Sequence, residues 1–292
     1  MGVADVAPER AAEVAHACGT QAYSDYRALF GKVDAVSIAT PTMLHAEIGE
    51  HFLKEGIAVL VEKPISNTLQ DADRLIRAAR SSRCVLQVGH LERFNPAVQA
   101  VRPLVRHPRF FEAHRLGVFS PRSLDIDVIL DLMIHDLDII RMMVPSPPLN
   151  IQAVGIAILS RRIDIANARI QFADGCVANL TASRVSTEKV RKLRLFHAHE
   201  YISLDYTRQD VSIFSLDGAR GSGEAQIVGQ RLTPPHREPL AAELEAFLNA
   251  CAGKGDVECS GEDGRATLEL GLRVLEQAEG AQARELDTAE SG

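Results

Sequence analysis

Asp131 and His135 stand four residues apart in DVILDLMIHDLDIIRMM (127–143), a spacing that sets both side chains on one face of a helix, with Asp138 within reach of the same stripe. A carboxylate beside an imidazole is the usual pairing for a proton-transfer base. Leu130, Leu132, Ile134, Leu137 and Ile139 predict a mostly buried helix, which favours a task for the pair over an ordinary surface ion pair. His135-Asp136 would also suit a metal-dependent phosphohydrolase. The further histidines that such chemistry needs at fixed spacing are missing, so no metal is expected.

Glu62-Lys63-Pro64 follows the apolar run AVLV, so Lys63 emerges at a strand end where it can donate to a substrate oxygen; a surface lysine is the alternative for a lone tripeptide. Asp5 closes the short run GVADV just before a helix, where a carboxylate can accept from both hydroxyls of an adenine ribose. Such an acid favours NAD over NADP, and Val6 and Ala7 supply no cation for a 2′-phosphate. A plain loop aspartate is the competing reading. Thr40-Pro41 ends DAVSIA in a turn that could pass beneath a nicotinamide, and His45 lies just inside the next helix, as a ligand or as a helix-face residue. Gly89-His90 ends a further strand. Arg93-Phe94-Asn95-Pro96 then offers an anion clamp, with a plain helix start at Asn95-Pro96 as the alternative.

The elements that must position these groups fall into two textures. Strands at 2–6, 34–40, 58–64 and 84–89 alternate with helices at 8–18, 43–55 and 69–80, and Val/Ile/Leu runs joined by helical crossovers predict a parallel, doubly wound sheet. Ligands in that class sit at the carboxyl ends of the strands. Beyond residue 105 the segments 109–119, 150–159, 166–172, 176–184, 190–196 and 200–206 alternate in polarity, and Ala173-Asp174-Gly175 is a hairpin turn. They predict an antiparallel sheet, closed by helices at 239–251 and 263–279 and by a frayed tail.

Composition narrows the partner. With 292 residues the chain can form two ordinary domains, and 32 basic against 39 acidic residues give −7, which argues against a broad grip on nucleic acid or anionic lipid. A small molecule is the expected partner. Cys18, Cys84, Cys176, Cys251 and Cys259 are odd in number and never form a CxxC pair, which predicts reduced thiols and a cytoplasmic setting. No apolar run reaches the roughly 18 residues of a membrane span.

Taken together, the order ADV, ATPxxxH, EKP, VGHxxRFNP and DxxxHDxD, followed by an antiparallel sheet, resembles the Gfo/Idh/MocA family of NAD(P)-dependent sugar and polyol oxidoreductases. The resemblance implies an α/β chain. A Rossmann-like parallel-sheet domain would span 1–107, an α+β domain with an open, mainly antiparallel sheet 108–280, and a tail 281–292. It implies Lys63, His135 and Asp131 as catalytic residues; Asp5, Thr40, Pro41, His45, Glu62 and Lys63 at the cofactor, NAD rather than NADP; and His90, Arg93 and Asn95 at the substrate. A homo-oligomer joined through the open sheet is expected. GHLERFNPAV (89–98), DLMIHDLDI (131–139) and KLRLFHAHEYISLDY (192–206) resemble the branch that oxidises nucleotide sugars. An inositol- or glucose-type dehydrogenase and a non-catalytic sugar-nucleotide-binding protein remain the alternatives. The glycine-rich turn that would precede Asp5 by about 20 residues is not in the chain. A chain starting at Met1 is therefore expected to bind NAD weakly, with the strands at 2–6 and 34–38 lacking the neighbour between them.

Overall fold

A computed structural model describes residues 1–119, 126–217 and 226–290. The chain forms two compact units, one of residues 1–89 with 246–262, the other of residues 90–245 with 263 onward.

The first unit carries β1 (Gly2–Ala4), α1 (Pro8–Ala17), β2 (Gln21–Tyr23), β3 (Ala35–Ile38), α2 (His45–Lys54), β4 (Ala58–Glu62), α3 (Leu69–Ser82) and β5 (Leu86–Gly89). All its strand pairs are parallel, in two ladders ordered β1–β2 and β3–β4–β5, and β1 shares no ladder with β3. β4 is the central strand of the larger ladder and reads Ala-Val-Leu-Val because both its faces are covered. Local chemistry sets the helix ends: Pro8 opens α1 at its first turn, and the Thr68 side chain accepts from the Asp71 N–H to cap α3.

The second unit contains α4 (Pro96–Val101), β6 (Phe110–Val118), a π-helical turn (Ile129–Met133) running into α5 (Ile134–Met143), and β7 (Pro148–Ile156), β8 (Ile165–Phe172), β9 (Val177–Ser186), β10 (Val190–His197), β11 (Glu200–Asp205), β12 (Asp210–Asp217) and β13 (Gln226–Leu232). α6 (Pro239–Cys251) and α7 (Gly261–Glu290) follow. The eight strands form one sheet ordered β13–β12–β11–β10–β6–β9–β8–β7, antiparallel except for the parallel pair β6–β9. Phe111, Ala113, Leu180, Leu193 and Leu195 on one face pack with Met133, Leu137 and Ile140 into the core.

Three boundaries differ from expectation. The first unit closes at Gly89 rather than near 107, because Ala97, Val98 and Val101 of α4 are buried in the core of the second unit. The strand at 2–6 stops at Ala4, and the tail continues α7 to Glu290, since residues 281–290 are mostly good helix formers with no proline. β2, β12 and β13 were not foreseen. β2 is three residues long, and β13 is exposed on both faces over most of its length, so neither has a clean period-2 pattern.

Candidate active site

In the first unit β4 and β5 end together, with Glu62 paired to Gly89. The Glu62 side chain lies over Gly89 of β5, where a Cβ would sit 3.1 Å from Oε2, a tight contact that glycine avoids. Burial raises the Glu62 carboxyl above the usual carboxylate range, and the Lys63 N–H and the Lys63 charge pull against it. Lys63 follows directly, half-buried, before a cis bond to Pro64.

His45 takes a different place from the one expected. Its ring is 1% exposed, with Nδ1 3.0 Å from the Pro64 carbonyl oxygen and Nε2 2.9 Å from the Thr40 carbonyl oxygen. The imidazole ties the Thr40-Pro41 turn after β3 to the Lys63-Pro64 turn after β4. With both nitrogens facing backbone oxygens, it acts as a positioning residue, and the expectation of a cofactor contact is corrected accordingly.

Asp5 follows β1 and accepts from the Ala7 N–H at 2.8 Å, so its carboxylate is oriented at the opening of α1. Val6 and Ala7 supply no cation, but one stands further along the chain. Arg10, one turn into α1, brings Nη1 to 3.8 Å from Asp5 Oδ2.

In the second unit four ionisable residues follow one another along the helix, and they divide by burial. Asp136 and Asp138 are fully buried counter-ions, whereas Asp131 and His135 keep partial exposure. Asp138 therefore leaves the Asp131/His135 stripe to which its spacing assigned it, and the pair itself is half-buried rather than enclosed. Asp131 lies in the π-helical turn, an element concentrated at functional sites.

Arg93 is the partner of Asp138, donating through Nε and Nη2 at 2.7 Å each, and Thr267 Oγ1 adds a bond at 3.1 Å. Burial alone would raise the Asp138 carboxyl; His90, Arg93 and Thr267 hold it below its usual value. The planar fork of Arg93 is thus spent inside the unit, which corrects its expected role as an anion clamp. Asn95 is a structural residue too: its Oδ1 accepts from the Ala97 N–H at 3.1 Å and its Nδ2 donates to the Tyr206 carbonyl at 2.9 Å. His90 is buried, with Nδ1 3.9 Å from Asp138 Oδ2.

In the first unit one parallel ladder is followed by an aspartate and the other by a lysine, and the second unit carries an eight-stranded open sheet and an Asp–His helix; these are the features of the dinucleotide-dependent oxidoreductase class. Residues 1–90 match the Gfo/Idh/MocA oxidoreductase family, NAD-binding Rossmann fold, and residues 99–200 match its C-terminal domain. The chain is 41% identical over 274 residues to UDP-N-acetylglucosamine 3-dehydrogenase of Acidithiobacillus ferrooxidans, covering 94% of this chain and 88% of that protein. It is 27% identical to inositol 2-dehydrogenase of Rhizobium meliloti, covering 92% and 86%. Among solved structures, the Acidithiobacillus ferrooxidans UDP-N-acetylglucosamine 3-dehydrogenase superposes with a TM-score of 0.90 at 40% identity, covering 96% of this chain and 89% of that one. Levoglucosan dehydrogenase in complex with NADH and levoglucosan shares the fold, with a TM-score of 0.84 at 21% identity and coverage of 95% and 87%. The chain belongs to the Gfo/Idh/MocA family and is an oxidoreductase. Among its described residues no helix is long and apolar enough to cross a membrane.

Proposed function

We propose that this enzyme is an NAD-dependent dehydrogenase that oxidises the secondary hydroxyl at C3 of UDP-N-acetylglucosamine, in the synthesis of lipid A precursors. The observation that carries this reading is the 41% identity, over 94% of the chain, to a dehydrogenase of that nucleotide sugar.

The residues fit the cofactor. The Asp5 carboxylate, which accepts from the Ala7 N–H at the end of a parallel strand, would accept from ribose hydroxyls, and the ends of β3 and β4 carry the Thr40-Pro41 turn and Lys63. Bound nicotinamide supplies a hydride acceptor. The chain's own groups manage the proton: His135 takes it from the hydroxyl as the C–O bond becomes a carbonyl, and Lys63 donates a hydrogen bond to that oxygen, offsetting its developing negative charge. Asp131 orients His135. His45 holds the turn on which Lys63 sits.

The reading places the enzyme in the cytoplasm as a homo-oligomer. The five free thiols suit a reducing compartment. The open face of the sheet supports self-association: Phe110, Phe196, Tyr201 and Phe214 form a ladder with ring centroids 5.6, 4.9 and 5.7 Å apart, and Phe214 is 42% exposed. Phe214→Asp is expected to lower the mass seen by analytical ultracentrifugation; an unchanged mass would remove this face from the interface.

NADH formation should be compared on UDP-N-acetylglucosamine, free N-acetylglucosamine and myo-inositol. The nucleotide sugar is expected to give the highest kcat/KM. Preference for inositol would keep the family chemistry and transfer the substrate to the inositol-type reading, which the 27% identity to inositol 2-dehydrogenase supports.

A further inference from the structure

Arg115 of β6 and Arg191 of β10 are direct cross-strand partners, so their side chains leave the sheet on the same face. Like charges directly opposite destabilise a sheet. Arg115 is fully compensated: Asp136 accepts from its Nε at 2.8 Å and its Nη2 at 3.1 Å, Glu92 accepts from Nη1 at 2.9 Å, and the guanidinium lies 4.8 Å from the centre of the Tyr206 ring. Together these contacts raise the Arg115 pKa above its ordinary value against the cost of burial.

Arg191 has no such shell. It is half-buried, and its side chain makes no hydrogen bond or ion pair with any described residue. Burial and then the charge of Arg115 lower its pKa, with Glu92 and Asp136 acting in the other direction. The fold gains little from a cation here. An uncharged side chain of similar length would cover the same surface without desolvating an unmatched charge. Unmatched charge that folding does not need is what a binding site for the opposite charge looks like before its ligand arrives. The location fits: Asp136, which holds Arg115, directly follows His135 on α5.

We propose that Arg191 binds the anionic end of the substrate, the diphosphate of a nucleoside diphosphate sugar. This assignment rests on the reading of the substrate as a nucleotide sugar. A guanidinium presents paired N–H donors that match two phosphate oxygens, and a diphosphate would accept the hydrogen bonds that Asp136 and Glu92, which accept from Arg115, do not accept from Arg191.

The test uses UDP and uridine as probes in calorimetric titrations of the full chain, with Arg191→Gln and Arg191→Lys. Arg191→Gln is expected to weaken UDP binding by about tenfold or more, leaving uridine affinity and the melting temperature in place. Arg191→Lys should recover only part of the loss, because a lysine keeps the charge without the fork. In turnover, Arg191→Gln should raise KM for UDP-N-acetylglucosamine far more than it lowers kcat. Equal UDP affinity in the wild type and Arg191→Gln overturns the assignment. Oxidation of UDP-N-acetylglucosamine with a KM that Arg191→Gln does not change overturns it too, while leaving the substrate reading intact. UDP binding that depends on Arg191, without NADH formation from the nucleotide sugar, upholds the anion site and removes that reading instead.

Discussion

At the scale of single residues, burial separates chemistry from folding. Asp131, His135, Asp136 and Asp138 lie within eight positions of each other, yet two are counter-ions to Arg115 and Arg93 and the other two stay partly exposed. A buried carboxylate already matched to a guanidinium is a poor proton acceptor, because protonating it strands the arginine charge. Asp5 and Arg10 pose a second contest, with opposite charges 3.8 Å apart where a ribose would be read. In the proposed reading Asp5 would accept ribose hydroxyls and repel a 2′-phosphate, whereas the exposed Arg10 would attract one. NAD is expected to win in the wild type. Asp5→Ala should narrow its kcat/KM advantage over NADP by about tenfold or more, since it removes the acceptor and leaves the cation. Equal use of both cofactors by the wild type would take Asp5 away from the ribose. The positions of Asp5, Lys63, Asp131 and His135, at strand ends or at helical spacing, were legible because each follows from a local pattern. The internal roles of Arg93, Asn95 and His45 were not, because their partners lie at Asp138, Tyr206 and Pro64, and no local pattern announces a partner that far along the chain.

At the scale of elements, strand ends and loops are held by buried polar anchors. The connection from β7 to β8 closes on Asp164, whose fully buried carboxylate accepts from the N–H groups of Ile158, Leu159 and Ser160 at 2.7, 2.7 and 2.9 Å and from Ser160 Oγ at 2.7 Å. Burial would raise this acid, but the Ser160 hydroxyl and the three N–H groups outweigh it and bring its pKa down from an ordinary 3.8 to about 2. A pKa lower in the folded than in the unfolded state gives stability that is complete above the unfolded value and is lost as pH falls through the folded one. Asp164 should thus contribute about 2 kcal/mol above pH 4, disappearing as pH falls towards 2. Asp164→Asn should lower the melting temperature at neutral pH and flatten its fall with acid over that window. A mutant that follows the wild-type acid profile would show that the anchor does not titrate. The elements themselves were largely legible. α6 runs over the expected 239–251, because apolar residues repeat at helical spacing behind Pro239, whereas β12 was missed because Val211 and Ile213 point inward while Phe214 and Leu216 are exposed on the other face, so both faces read as apolar.

At the scale of the whole molecule, the architecture follows from two hydrophobic periods in one sequence. Continuous apolar strands with helical crossovers give the parallel ladders of the first unit, and alternating strands give the eight-stranded sheet of the second. The sequence could not show where one unit hands over to the next, because residues 246–262 return to the first unit between two segments of the second. The proposed chemistry gives Lys63 the role of hydrogen-bond donor to the reacting oxygen, and a change confined to Lys63 tests it most directly. The decisive measurement is the steady-state rate of NADH formation on UDP-N-acetylglucosamine for the wild type and Lys63→Met, with thermal melting of both. Loss of a hydrogen-bond donor that acts in the transition state predicts a kcat lower by roughly two orders of magnitude or more, with the melting temperature unchanged. A Lys63→Met enzyme that folds and turns over near the wild-type rate would contradict the account.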